Sequence, residues 1–168
     1  MTNPADNLLH WLRDAHSMEK QAIESVENQQ KRLENYPEMR AWAQEHVRTA
    51  HQHRDLIRAC IERRGGNTSQ LKDLAMSVMG TIQEITGSFA EDEILKNVIA
   101  DYAFKHYQIA CYKSLIAAAE EAGDAETQGV CEGILATQQQ QADALLPLIP
   151  QMTCVFLRRD AAEMQSKR

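Results

Sequence analysis

The stretch DYAFKHYQIACYKSL, Asp101–Leu115, has the spacing of a long helix with one buried face, yet Lys105, His106 and Gln108 stand where that face should be most apolar. A buried ammonium is tolerated only beside an opposite charge or a set of acceptors. The segment therefore reads as one wall of a helical core that is polar at its centre, with the partners supplied by other helices.

Apolar residues extend the pattern from about Ala90 through Ile94, Val98, Tyr102, Ile109, Tyr112 and Leu115 to Glu121, where EAGD breaks it. Earlier in the chain, Leu8, Leu12, Ala15, Ala22, Val26 and Leu33 mark a first long helix that stops ahead of NYP. Pro37 suits the first turn of a second helix, with Met39, Trp42, Val47, Ala50, Leu56, Ile57 and Cys60 inward. That helix ends at ERRGGN, where Gly65 and Gly66 cap and reverse the chain rather than cradle a phosphate. A shorter helix, about Ser69–Gln83, with Ala75, Ser77 and Gly80 as small residues, is expected to cross the bundle. A fourth long helix, about Ala125–Leu146, turns Val130, Ile134 and Leu145 inward, and Pro147 and Pro150 end it. MTCVFLRRD then reads as a short C-terminal helix laid over the bundle. Two long antiparallel pairs joined by a crossover make an all-α, up-down four-helix bundle of ferritin-like connectivity. The expected organisation is a single domain over residues 1–168, with its core at about 7–158 and a polar tail at about 159–168.

Composition narrows the function classes. A chain of 168 residues suffices for one well-cored domain. A net charge of -6 without a basic stripe argues against nucleic acid or an anionic membrane surface as partner. No basic leader with an apolar run follows Met1, and no stretch approaches the roughly 20 apolar residues of a membrane span, so the chain is read as cytoplasmic. Cys60, Cys111, Cys131 and Cys154 are widely spaced without a CxxC and read as reduced packing residues. No Ser-His-Asp constellation, HExxH, P-loop or GxGxxG supports hydrolytic or nucleotide chemistry.

Each long helix also carries polar residues near its middle. Glu19 lies among Ala15, Ala22 and Val26; His46, Thr49 and His53 run along the line from Trp42 to Leu56; Lys105 and Gln108 follow on the third helix and Thr137, Gln138 and Gln141 on the fourth. The run Gln138 to Gln141 reads by default as a solvated face, but Gln138 and Gln141 share the stripe of Ile134 and Leu145, so at least one is expected inside. His46 and His53 share a face but lie about 10 Å apart along the axis, too far to ligate one ion, and read as hydrogen-bonded core histidines. Glu19 is the sharpest signal, because an inward glutamate needs a cation, a metal or donors; its metal-free partner is Lys105 or His53.

At WLRDAHSMEKQA (Trp11–Ala22), NYPEMRAWAQEHV (Asn35–Val47), AFKHYQIACYKSLIAAAEEAGD (Ala103–Asp124) and ILATQQQQAD (Ile134–Asp143) the chain resembles the YciE/YciF family of bacterial ferritin-like stress proteins, YciE most closely. The resemblance is nearly gap-free over about residues 7–158. It implies a cytoplasmic, dimeric four-helix bundle with a di-iron carboxylate centre. Position by position, it implies that Glu19 matches the helix-one glutamate and His53 a helix-two position often held by His or Gln. Thr49 stands where the family has a helix-two glutamate, Lys105 and Gln108 where it has Glu-x-x-Glu, and Thr137 and Gln138 where it has a glutamate pair. A dinuclear site of this type uses four carboxylates and two histidines. The residues Glu19, Thr49, His53, Lys105, Gln108, Thr137 and Gln138 are thus expected to form a vestigial site that holds no metal, with Lys105 and Glu19 within salt-bridge or one-water distance. The leading expectation is a homodimeric, stress-associated structural or binding protein with no cofactor and no catalytic residue. One alternative is a di-iron or di-manganese carboxylate oxidase or peroxide-detoxifying protein using ligands one residue away, such as Glu45 or His106, with iron or manganese as cofactor. The other is a small-molecule- or protein-binding helical module with a pocket beside Trp11, Trp42 or Tyr112.

Overall fold

Among the described residues, five helices are laid down by local signals at their ends. The structure, a computed structural model, describes residues 3–67 and 92–162. Helix α1 spans Pro4–Gln30, and the Asn3 side chain opens it by accepting from the Asp6 backbone N–H at 2.8 Å. Helix α2, Pro37–Arg63, again starts on a proline, whose missing N–H costs nothing in a first turn. Helix α3 is Glu93–Glu121 and α4 is Ala125–Leu145, opened by the Asp124 carboxylate. Helix α5 is Leu148–Ala161. Gly65 and Gly123, at φ 74° and 66°, end α2 and α3 in the left-handed region that glycine adopts without penalty. Gly66 is needed for space instead: a Cβ there would come within 2.8 Å of Leu9 Cδ1 and 2.9 Å of Ile61 Cγ2.

The helices form a ferritin-like bundle in which α1 packs on α2 and α3, and α4 packs on α3 and α2. The exit of α2 lies beside the start of α1, where Arg64 donates to the Ala5 carbonyl at 3.1 Å. The entry to α3 lies beside the far end of α1, where Arg32 pairs with Glu93. Those two points are at opposite ends of the bundle, the connectivity for which a crossover was expected. The expected crossover helix at about Ser69–Gln83 lies outside the described residues, as does most of the polar tail.

Two apolar clusters fill the bundle. One joins Leu8, Leu12, Ile57, Ile61, Leu115 and Ile134 near the start of α1. The other joins Val26, Leu33, Tyr36, Met39, Val98 and Leu145 at the opposite end, where α5 adds Met152 and Phe156. Each large apolar side chain so buried contributes about 1.5 to 3 kcal/mol. Between the clusters lies a polar layer.

Several inward positions read from spacing are corrected. Leu56 is 45% exposed, and Val47, Tyr102, Ile109 and Val130 are half-buried, because each sits on the flank of its stripe. Pro147 and Pro150 do not separate α4 from a helix beginning at Met152. Pro150 falls in the first turn of α5, where a backbone N–H has no intrahelical acceptor to lose, so that helix starts earlier than expected.

Candidate functional site

The centre of the polar layer is Glu19, fully buried on α1. Its Oε1 accepts from the Tyr112 hydroxyl at 2.7 Å, from Gln138 Nε2 at 3.0 Å and from Gln108 Nε2 at 3.3 Å. Its Oε2 has no hydrogen-bond partner among the described residues, and His53 Nδ1 stands 3.9 Å from it. Tyr112 and Gln108 come from α3 and Gln138 from α4, so one carboxylate oxygen ties three helices together.

Lys105 is also buried, at 1% exposure, on α3. Its Nζ donates to Gln138 Oε1 and, at 2.7 Å, to Gln141 Oε1. Gln138 is therefore a relay: its carbonyl oxygen takes the lysine and its amide nitrogen gives to Glu19. Ammonium and carboxylate form no direct ion pair; one side-chain amide joins them, where the sequence suggested salt-bridge or one-water distance. Gln141 completes the layer. Its Oε1 lies 3.1 Å from His46 Nδ1, its Nε2 donates to Thr49 Oγ1, and its backbone carbonyl accepts from Trp42 Nε1 at 3.0 Å. Because Gln141 Oε1 is an acceptor, His46 carries its proton on Nδ1. Trp42 stacks on His46 at 5.1 Å between ring centroids.

Burial sets the charge state of this layer. It pushes the Glu19 carboxyl up to about 7 against the pull of Lys105 and of the hydrogen bonds from Tyr112, Gln138 and Gln108. It pulls the Lys105 amine down to about 7 against Glu19 and Asp101. Burial and the Lys105 charge lower His53 to about 4 and hold His46 well below the usual histidine range, so both imidazoles are neutral near pH 7. Burial, with the Glu19 charge, raises Tyr112 well above its ordinary value and keeps its hydroxyl a donor. One further carboxyl belongs to the region. Asp101, one turn before Lys105, is buried and pushed up to about 7 by that burial, opposed by a 3.1 Å hydrogen bond from Gln29 Nε2 and by Lys105.

Of the residues singled out from sequence, Glu19, Thr49, His53, Lys105, Gln108 and Gln138 all reach this layer. Thr137 does not. It is half-buried one position off the inner stripe of α4, and its hydroxyl turns back to the Gly133 carbonyl at 3.3 Å; Gln141 takes its place. His106 is exposed against the edge of Tyr102 and is corrected from the inward face. Glu45 is exposed and paired with Arg48. Neither residue offered as a shifted ligand points inward. Tyr112 and Asp101 were missed as polar members of the site, although Asp101, Lys105, Gln108 and Tyr112 share one helical face by spacing. A cavity of about 330 Å³ opens between α1 and α3, with Trp42, His46, Asp101 and Lys105 among its walls, and a smaller one of about 210 Å³ lies beside Trp11 and Tyr107.

A family described as a domain of unknown function, DUF892, matches residues 3–157. The chain belongs to this family. The resemblance to the YciE/YciF ferritin-like proteins agrees with that membership and with solved structures. A protein of Xanthomonas campestris pv. campestris is 30% identical over 94% of this chain and 98% of its own, at a TM-score of 0.79. The E. coli stress protein YciF is 20% identical over 89% and 96% of the two chains, at 0.75. A bacterioferritin of Rhodobacter capsulatus is 18% identical over 89% and 87%, at 0.68. At those last two identities the likeness is one of fold.

A dinuclear carboxylate centre of the ferritin-like type takes four carboxylates and two histidines. Among the described residues no group of three or more His, Cys, Asp or Glu side chains is placed to hold an ion. The layer offers the Glu19 carboxylate, one of whose oxygens is taken by three donors, and two neutral imidazoles, His53 beside Glu19 and His46 bonded to Gln141; the Asp101 carboxyl nearby is held by Gln29, and the remaining groups are amides and hydroxyls. Amides and a hydroxyl do little to offset the charge of two cations, and an ammonium in the same layer opposes it. The set does not fit a pair of metal ions.

Proposed function

We propose that this chain is a YciE/YciF-type ferritin-like protein in which the dinuclear site is degenerate and the role is structural or binding rather than catalytic. The observation that carries the reading is Lys105: a buried amine stands in the layer, it donates to Gln138 and Gln141, and one oxygen of the remaining carboxylate is reached through Gln138. Lys105 and one oxygen of Glu19 are thus answered within the layer without any ion, while Glu19 Oε2 and Gln108 Oε1 stay buried with no hydrogen-bond partner among the described residues. On this reading the protein takes neither iron nor manganese as cofactor, has no oxidase or peroxide-consuming activity, and works as a cytoplasmic, stress-associated homodimer. Support for the setting comes from the likeness to a stress protein of E. coli and from the absence, among the described residues, of a helix long and apolar enough to cross a membrane.

The test is metal content in protein purified without chelator. It should hold well under one iron, manganese or zinc per chain, and near-stoichiometric iron would overturn the reading. A second reading, a small-molecule-binding helical module, is favoured by the cavity beside Trp42.

A further inference from the structure

The cavity between α1 and α3 is within the size range of small-molecule sites, and its walls are uneven in charge. On the apolar side stand Ala22, Val26, Trp42 and Phe104. On the polar side stands Asp101, whose residue is only 8% exposed. Its Oδ1 accepts from Gln29, also a wall residue, but its Oδ2 is buried with no hydrogen-bond partner among the described residues. An unanswered carboxylate oxygen is costly to bury and is an acceptor waiting for a donor.

The charges facing this space do not cancel. Arg32 and Glu93 pair with each other at the rim, and Glu24 pairs with Lys20. His46, at the floor, is neutral for the reasons of burial already given. The buried charges are then Glu19 and Asp101 against Lys105 alone, and Lys105 is committed to the two amide oxygens of α4 and through Gln138 to Glu19. One carboxylate is left without a cation. A bare metal ion would need several oxygen ligands, which the aromatic and aliphatic wall does not supply. An ammonium group carrying an apolar body meets both walls, since aromatic faces attract organic cations.

Building on the binding-module reading, we infer that this cavity takes a small organic ammonium ion, its nitrogen on the Asp101 carboxylate and its apolar body against Trp42 and Phe104. The probe is phenethylamine, compared with 2-phenylethanol and 3-phenylpropionate by isothermal titration calorimetry at pH 8. The amine should bind at least tenfold more tightly than the alcohol, and the acid should bind least. Asp101→Asn, which keeps the shape and removes the charge, should weaken the amine at least tenfold while leaving alcohol binding within threefold. Should that variant fold poorly by circular dichroism, amide shift perturbation in the wild-type protein decides: shifts must centre on Ser25, Gln29 and Asn97. If the alcohol or the acid binds there as tightly as the amine, the charge assignment is wrong and the binding-module reading stands. If none of the three binds, or shifts centre elsewhere, the cavity proposal is overturned, and metal content independently decides whether the degenerate-site reading survives.

Discussion

Two buried carboxylates, Glu19 at the middle of the bundle and Asp124 at its end, meet their cations in opposite ways. Asp124 is gripped directly: Arg63 donates to both its oxygens at 2.6 and 2.8 Å, Arg64 adds another bond, and the Thr127 backbone and hydroxyl donate at 3.0 and 2.7 Å. Burial alone would raise its carboxyl, but the Thr127 donors and the two guanidiniums outweigh it and hold the group well below the usual carboxylate range. Glu19 meets no cation directly. Its donors are neutral, its lysine is one amide away, and both groups drift toward neutrality. Guanidiniums at a rim can be partly hydrated and still clamp an anion; an ammonium wholly inside has to share its charge through dipoles.

Removing the central cation should give the largest effect. Lys105→Met leaves Glu19 buried without its counter-charge and should destabilise the fold by about 3 to 5 kcal/mol at pH 7, where the amine still carries part of its charge. The pair Glu19→Gln, Lys105→Met should cost much less in the same denaturant titration, and equal losses would show that the two charges are not coupled. The pH slope sharpens the point. The Lys105 amine is lowered from 10.5 to about 7, so between those values the unfolded chain binds more protons and stability rises with pH, by at most about 1.4 kcal/mol per unit. Glu19 and Asp101, raised to about 7, act in the opposite sense up to and around that pH, and Cys131, raised from 9.0 to about 12, does so above pH 9.0, which leaves about pH 8 to 9 as the window to measure. The rise should vanish in Lys105→Met.

At the bundle end the effect should be smaller. Asp124→Ala removes a helix cap and a clamp on arginines that water can reach, and should cost about 1 to 2 kcal/mol by thermal unfolding. A depressed carboxyl stabilises above its unfolded value and loses that contribution as pH falls, so the wild-type advantage over Asp124→Asn should fade below pH 3.8. A loss as large as that of Lys105→Met would erase the contrast between the two sites. Smallest of all, Thr137→Ala should change stability by under about 0.5 kcal/mol, because its hydroxyl serves only its own helix. A larger cost would return Thr137 to the layer.

The helices were legible because a stripe of apolar residues, proline starts and glycine stops are local properties. The centres of the inward faces were legible too, which is why Glu19, Lys105 and Gln138 were found. The flanks were not. Successive helical residues are separated by about 100°, so a polar neighbour such as Thr137 or His106 shares the edge of a face, and only packing decides which way it turns. Nor could spacing reveal the relay, since Gln138 and Glu19 sit on helices that never pack side by side. Asp101 was readable as the residue one turn before Lys105, but its unanswered oxygen is a property of the assembled fold.

The relay also constrains how such a sequence can diverge. A Gln138→Glu change would set a second carboxylate against Glu19, and loss of Lys105 alone would strand the first, so each single step passes through an unbalanced interior. Among relatives that keep a glutamate at position 19, positions 105 and 138 should therefore change together, as an inherited pair, far more often than one at a time.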